Sequence, residues 1–447
     1  MDTLTQLRTG QLIGAQRLNL SGDFTEFPTE IFDLADSLEI LDLSNNQLTS
    51  LPGDLGRLRH LRILFCNNNQ FEELPPVLSQ CPNLSMASFK ANHIKTVPEE
   101  ALLPTLRWLV LTDNQLEVLP AKMGQLPRLQ KLMLAGNRLR SLPESMAACH
   151  NLELIRLAAN QLETLPSWLF NLPRLSWIAY GGNPLCHQPE FTGKSTASNQ
   201  SISSSTPLLE IDWLELSVGE VLGQGASGII YRAVWTPPSG ESQTVAVKIF
   251  KGAMTSDGLP DEEMQTCIAA GTHENLVNVL GEVVHHPEQK QGLVFSFIPA
   301  NYTNLGNPPS LSTCTRDTYA EETSFSLPVL LRIAKGIAAA ATHLHRRGIL
   351  HGDLYAHNIL IDESGHPLLG DFGAASRYNA ANVNLGKILE AVEVRAFGCL
   401  LEDLLNRCPN QTDAAYTQLR QLQHNCMVSI PEQRPCFEAI ATTLKSI

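Results

Sequence analysis

The chain has 447 residues, 43% hydrophobic and 17% charged, with a formal net charge of −13 at pH 7. Its apolar residues come in runs shorter than the roughly 18 that a membrane span requires, which argues against a transmembrane receptor, and acidity in both halves argues against sequence-independent nucleic-acid binding. Ten cysteines are dispersed with no CxxC pair, the pattern of reduced, mostly buried thiols rather than a disulfide frame.

At the amino terminus, Met1 to Arg8 lack the basic start, apolar middle and small-residue cleavage site of a secretion signal, so the expected location is cytoplasmic. A repeat follows. Leu18, Leu41, Leu64, Ala87, Leu109, Leu132, Ile155 and Ile178 recur every 23 residues, with a single interval of 22 between Ala87 and Leu109. Such a period means stacked supersecondary units whose apolar faces form one continuous core. Each unit reads like Leu38, Leu41, Leu43, Asn46, Leu48, Leu51, Pro52, and the asparagine returns at Asn69, Asn92, Asn114, Asn137, Asn160 and Asn183. A chain turning inward from a short strand strands its N–H and C=O groups in a dry interior, and a stacked amide ladder satisfies them. Pro52, Pro75, Pro98, Pro120, Pro143 and Pro166 stiffen the return segment. The first unit departs from the rule, with Asp23 at the asparagine position, as a capping unit does.

Over about residues 15 to 185 this pattern resembles the leucine-rich repeat in its 23-residue "LP" variety. The resemblance implies an α/β leucine-rich-repeat solenoid. It also implies a concave surface, here including Asp42, Phe65, Ser88, Val110, Met133, Arg156 and Ala179, whose mixed character suits a protein partner or substrate. Small neighbours at Ala135 and Gly136, Ala158 and Ala159, and Gly181 and Gly182 suggest that a partner backbone approaches closely there.

From Cys186 to about Glu210 the period is lost and Ser, Thr and Asn dominate, including Ser203, Ser204 and Ser205, which reads as a flexible linker. The expected division is 1–190 for the repeats, 191–210 for the linker and 211–447 for the remainder.

In that remainder Gly223, Gly225, Ser227 and Gly228 form a GxGxxG loop. The motif alone is weak, since dinucleotide-binding folds use it at a strand-to-helix turn. Here a strand-like run, Ile229 to Trp235, follows it, and then the strand Val245 to Lys248. Glycines let backbone amides approach phosphates, and a strand lysine supplies a cation. Further on stand His351, Gly352, Asp353, Leu354, Tyr355, Ala356, His357 and Asn358, then Asp371, Phe372 and Gly373. A carboxylate base, a carboxamide and a second carboxylate are what phosphoryl transfer from a metal nucleotide needs. The alternative of His343, His345 and His351 as metal ligands is set aside, because the spacing of this region is accounted for without it.

Together these motifs resemble the protein kinases over about residues 213 to 447, with the string Tyr231 to Trp235 closest to the tyrosine-kinase-like branch. The resemblance implies an α+β two-lobed protein-kinase-like domain binding ATP with Mg2+. It implies Lys248 as the ATP-positioning lysine and an acidic partner for it, Glu263 or Glu262, with Glu263 preferred. Ile230, Ala246 and Leu360 would sandwich adenine, while Phe295 and Phe297 would border it at the hinge. Asp353 would be the catalytic carboxylate, Asn358 and Asp371 the metal ligands, and Phe372 with Gly373 would orient Asp371.

Three departures stand out. Gly352 replaces an arginine that usually pairs with a phosphorylated loop, and Tyr355 replaces the lysine usual in serine/threonine kinases. Only 22 residues separate Asp371 from Glu393, without an A-P-E motif, so Arg434 lacks its usual glutamate unless Glu390 serves. Three functions follow in order of preference: a kinase acting on a protein hydroxyl, serine or threonine first; a nucleotide-binding pseudokinase scaffold; and a small-molecule kinase.

Overall fold

A computed structural model describes residues 3–187 and 208–447, apart from Ala226, Ser239, Ala253 and Ser256. Residues 191–207 of the expected linker lie outside the described residues. By its contacts the chain divides into two compact units, 1–175 and 176–447.

The first unit opens with a short helix α1 (Thr3–Arg8) and then carries one three-residue strand per repeat: β1 (Arg17–Asn19), β2 (Ile40–Asp42), β3 (Ile63–Phe65), β4 (Met86–Ser88), β5 (Trp108–Val110), β6 (Lys131–Met133) and β7 (Leu154–Arg156). All pair in parallel, and the residues that set the sequence period are direct cross-strand partners, from Leu18 opposite Leu41 to Leu132 opposite Ile155. Each of these is fully or almost fully buried. The return segments are short 3-10 helices rather than α-helices, and those starting at Pro76, Glu99, Ala121, Glu144 and Ser167 follow a proline at the cap position. The fixed φ of proline presets the tight turn at the start of each of these returns.

The asparagines form the ladder. Asn69 Nδ2 donates to Leu43 O of the preceding repeat (2.9 Å) while its Oδ1 accepts from Leu48 N (2.9 Å). Asn137 does the same with Leu111 O (2.8 Å) and Leu116 N (3.0 Å). The residue before each asparagine is left-handed, at Asn45, Asn68, Ala91, Asp113, Gly136 and Ala159, with φ between 53° and 71°. The same left-handed position holds Gly136 and Ala159, whose small side chains the sequence associated with a partner, and Asn45, Asn68 and Asp113 fill it with larger ones. All meet a backbone requirement of the turn, and Ala135 and Ala158, beside Gly136 and Ala159, are buried. Of the expected concave residues, only Asp42 and Phe65 remain partly exposed; Ser88, Val110, Met133, Arg156 and Ala179 are buried.

The second unit starts with the strand of the last repeat, β8 (Trp177–Ala179). After the undescribed segment comes β9 (Leu209–Asp212), which begins inside the stretch expected as linker because Leu209 and Glu210 pair in parallel with Gly281 and Glu282. The six-stranded sheet of the upper lobe runs β10 (Leu216–Gln224), β11 (Gly228–Trp235), β12 (Gln243–Phe250), β14 (Gly292–Ser296), β13 (Val279–Val284), β9. Alternation along β12 puts Val245, Val247 and Ile249 into the lobe core with Ala233, Trp235 and Val294, leaving Ala246 and Lys248 on the opposite face. Helix α2 (Pro260–Ala270) belongs to this lobe.

The lower lobe is helical: α3 (Leu327–Arg346), α4 (Val383–Asn406), α5 (Ala414–Cys426) and α6 (Phe437–Ser446). By length and composition α3 is apolar enough to cross a membrane. Its stripe Leu330, Ile333, Ala334, Ile337, Ala341 and Leu344 follows the helical period and is wholly buried, as in the central helix of a packed lobe.

Candidate active site

A cavity of about 490 Å³ is lined by residues of both lobes, including Leu222, Ile230, Ala246, Val277, Phe295 and Leu360. That volume lies inside the range of about 300–1,000 Å³ usual for small-molecule and cofactor sites. Gly225, Ser227, Gly228, Lys248, Phe297, Asn358 and Asp371 also face it. Gly223 and Asp353 do not line it: Gly223 is engaged in the β10–β11 ladder opposite Ile230, and Asp353 is attached through Asn358. A Cβ built on Gly225 meets nothing within 4 Å, so the loop leaves open space above the cavity, whereas one on Gly228 would lie 2.6 Å from Ile249 O. One glycine keeps room for a ligand and the other lets two strands pair.

Lys248 Nζ donates to Glu263 Oε1 from α2, and both side chains are largely withdrawn from solvent. Of the two acids considered in the sequence, Glu263 is the one that reaches the lysine, while a Glu262 oxygen stands 4.0 Å from where a Cβ on Gly181 would be. Burial raises the Glu263 carboxyl above its ordinary range, Lys248 opposes that rise, and the Asp371 carboxylate adds to it.

In the lower lobe, Asn358 Nδ2 donates both to Asp353 Oδ2 (2.8 Å) and to Asp353 O (2.9 Å), locking the catalytic loop into a closed turn. Asp371 adopts a left-handed backbone, φ 54°, and its Oδ1 accepts from Gly373 N (3.1 Å). A non-glycine residue in that region carries local strain, of the kind found where a side chain has to be aimed. Phe372 is buried with its ring 5.2 Å from that of His351, whose Nε2 is 2.9 Å from Gly370 O. The three histidines weighed as metal ligands have separate partners: His343 the Ala270 carbonyl, His345 the side chains of Tyr378 and Glu393, His351 the Gly370 carbonyl.

Glu393, fully buried on α4, holds the loop from beneath. Its Oε1 accepts from Gly352 N (2.8 Å) and its Oε2 lies 2.8 Å from His345 Nε2. Burial alone would raise this carboxyl, but the hydrogen bond and charge of His345, then His351 and the Gly352 amide, bring it below its ordinary value of 4.5. A carboxyl depressed on folding contributes stability above its unfolded pKa and loses it as pH falls through the folded value. Glu393→Gln should therefore cost about 1–3 kcal/mol at neutral pH, a gap that closes as the medium is acidified below the ordinary carboxylate range. Thermal melts of both proteins across that range check it.

Glu390, the one candidate to replace the usual glutamate partner of Arg434, is engaged elsewhere. Arg434 donates to the carbonyls of Ala391 (2.8 Å) and Val428 (3.1 Å), while Glu390 Oε1 accepts from Phe437 N (2.7 Å) at the start of α6. Sequence reasoning also missed Leu222, Val277 and His357 on the cavity wall. The first two were legible only as strand or loop apolars. His357 is tied to Asp317 Oδ1 (2.6 Å), forty residues upstream, and no motif announces that pair.

Family profiles match both halves of the chain. The profile of the protein tyrosine and serine/threonine kinase family matches residues 216–395. Leucine rich repeat profiles match 104–162 and 127–185, and that of the leucine-rich repeats of leucine-rich repeat and WD repeat-containing protein 1 matches 5–115. Among curated relatives, "Probable serine/threonine-protein kinase gdt4" of Dictyostelium discoideum is 29% identical over 175 residues, 38% of this chain and 10% of that protein. "Probable serine/threonine-protein kinase kinY" of the same organism is 26% identical over 295 residues, 53% of this chain and 48% of its own length. "Probable leucine-rich repeat receptor-like protein kinase At1g68400" of Arabidopsis thaliana is 25% identical over 255 residues, 51% of this chain and 36% of that one. The chain thus spans less than half the length of each. A kinase domain implies ATP and a divalent metal, and leucine-rich repeats suggest protein interaction. With repeats matched from residue 5 to 185 and a kinase domain from 216 to 395, the chain has the domain composition of a leucine-rich repeat protein kinase.

Proposed function

We propose that this protein transfers the γ-phosphoryl group of ATP to a serine or threonine hydroxyl of a protein substrate, using Mg2+, in the cytoplasm. The observation that carries this reading is the meeting of the Lys248–Glu263 pair with Asn358 and Asp371 on one cavity wall. A cation fixed by a buried acid suits a polyphosphate, and a carboxylate with a carboxamide suits a hard divalent ion with oxygen ligands. When bound, the metal nucleotide supplies the transferable phosphoryl group and the positive charge that screens it. Lys248 holds the phosphates in place. Asn358 and Asp371 hold the metal, and Asp353, oriented by Asn358, receives or steers the hydroxyl proton of the acceptor. Ile230, Ala246 and Leu360 offer the apolar walls for the base, with Phe295 and Phe297 at its edge.

The names of the relatives support serine or threonine as acceptor. The repeats would recruit the substrate or a partner through the partly exposed positions Asp42 and Phe65 near the amino end. A nucleotide-binding scaffold is the second reading, favoured by the spacing of only 22 positions from Asp371 to Glu393. Incubating the purified protein with labelled ATP, Mg2+ and host lysate, then mapping phosphosites by mass spectrometry, separates the two. New phosphoserine or phosphothreonine is expected. A thermal shift with nucleotide but no transfer would establish the scaffold instead, and absence of any shift would defeat both.

A further inference from the structure

Three oddities of the catalytic half, Gly352, Tyr355 and the short stretch from Asp371 to Glu393, converge on one neighbour: the strand β8 and the residues that follow it. Trp177 is buried, with its ring stacked on that of Tyr355 (centroids 4.3 Å apart, planes 9° apart), and its Nε1–H donates to Leu354 O (3.2 Å). Ile178 O stands 2.4 Å from where a Cβ on Gly352 would lie, and Gly352 is left-handed, φ 73°. No side chain fits at that position, an arginine least of all. Tyr180 N donates to Ser376 Oγ (3.0 Å), and Gly181 faces Ala375 O, so the same segment also lies along the chain just after Asp371.

The residues on both sides of Asp353 are thus gripped from two directions. Glu393 holds the Gly352 amide from beneath, and β8 closes on Gly352, Leu354 and Tyr355 from the other side. A loop in which a carboxylate must meet an acceptor hydroxyl within hydrogen-bond reach cannot be left free. We infer that Trp177 is a positioning residue for phosphoryl transfer, and that β8 braces the catalytic loop in the place of the residues missing between Asp371 and Glu393. A loop held by the Trp177 indole and the Glu393 carboxylate needs no phosphate on the activation segment to order it, which accounts for the absent arginine at Gly352.

This inference rests on the kinase reading, so its test has one readout that needs activity and one that does not. Trp177→Ala removes both stack and donor, while Trp177→Phe keeps the stack alone. Full-length Trp177→Ala should lose about 10- to 100-fold in kcat, the scale of an ångström-sized misplacement, with KM for ATP unchanged, since the nucleotide cavity does not include Trp177. Trp177→Phe should recover most of that loss. By hydrogen exchange, residues 350–358 of the alanine variant should exchange at least tenfold faster, roughly, while β12 and α2 keep wild-type protection. Unchanged exchange in 350–358 would overturn the proposal, as would equal losses of kcat, ATP affinity and protection throughout the unit. If Trp177→Ala does not fold, Trp177→Leu, which keeps apolar bulk but neither stack nor donor, takes its place, and a wild-type kcat with unchanged exchange in 350–358 counts against the brace. Should the wild-type protein transfer nothing, the kinase reading fails and the exchange data still judge the brace.

Discussion

Asp353→Asn should lower phosphoryl transfer by about 10²–10⁴-fold, the range for a positioned general base, while leaving ATP binding intact. The substitution keeps the shape of the side chain, and the Asn358 amide can still donate to its oxygen and to the residue 353 carbonyl. What is lost is the charge that draws the acceptor proton. Single-turnover transfer beside nucleotide titration measures the two quantities separately, and a matched loss of both would mean that Asp353 supports the fold of the loop rather than the chemistry.

Lys248→Met should reduce transfer by about 10²–10³-fold, as does removal of one preorganised charge from a transition-state clamp. On sequence grounds its effect on stability would be slight by comparison. The structure argues for a larger one, because Glu263 is buried and loses the cation hydrogen-bonded to it. Leaving an unpaired buried carboxylate costs about 3–5 kcal/mol, less whatever protonation relieves. Glu263 is already raised by burial, and without Lys248 it rises further. An acid whose pKa is higher folded than unfolded destabilises the fold increasingly as pH climbs from the unfolded value towards the folded one. The gap in melting temperature between Lys248→Met and wild type should therefore widen from mildly acidic to neutral pH. A pH-independent gap would mean that packing, and not charge, links Lys248 to α2.

The repeat array was legible because its physics is local and periodic: leucines 23 apart become cross-strand partners, and an asparagine every turn has one job. The left-handed residue before each asparagine escaped notice since Ala91 and Ala159 occupy it, and alanine does not advertise a positive φ. In the catalytic half, Lys248 announced itself by its strand, and spacing favoured Glu263 over Glu262 by a single residue; the two face different ways on one helix, and Glu263 is the one that reaches the lysine. Gly352 read as a missing arginine. Its actual reason, the Ile178 carbonyl, lies 174 positions earlier, across the whole upper lobe, and no window of sequence joins the two. The same distance hid Trp177, which by periodicity alone was one more residue of one more repeat. The boundary expected at 190 followed the period, whereas the contacts divide the chain between Leu175 and Ser176.

The fit of Ile178 against Gly352 bears on recombination between modules. A chimaera that swaps the recognition array at the Ser- and Thr-rich stretch would inherit every cleft residue and yet bring a foreign strand up to the catalytic loop. With β8 as brace, a graft joined upstream of Ser176 should keep the transferase half working, because β8 travels with it.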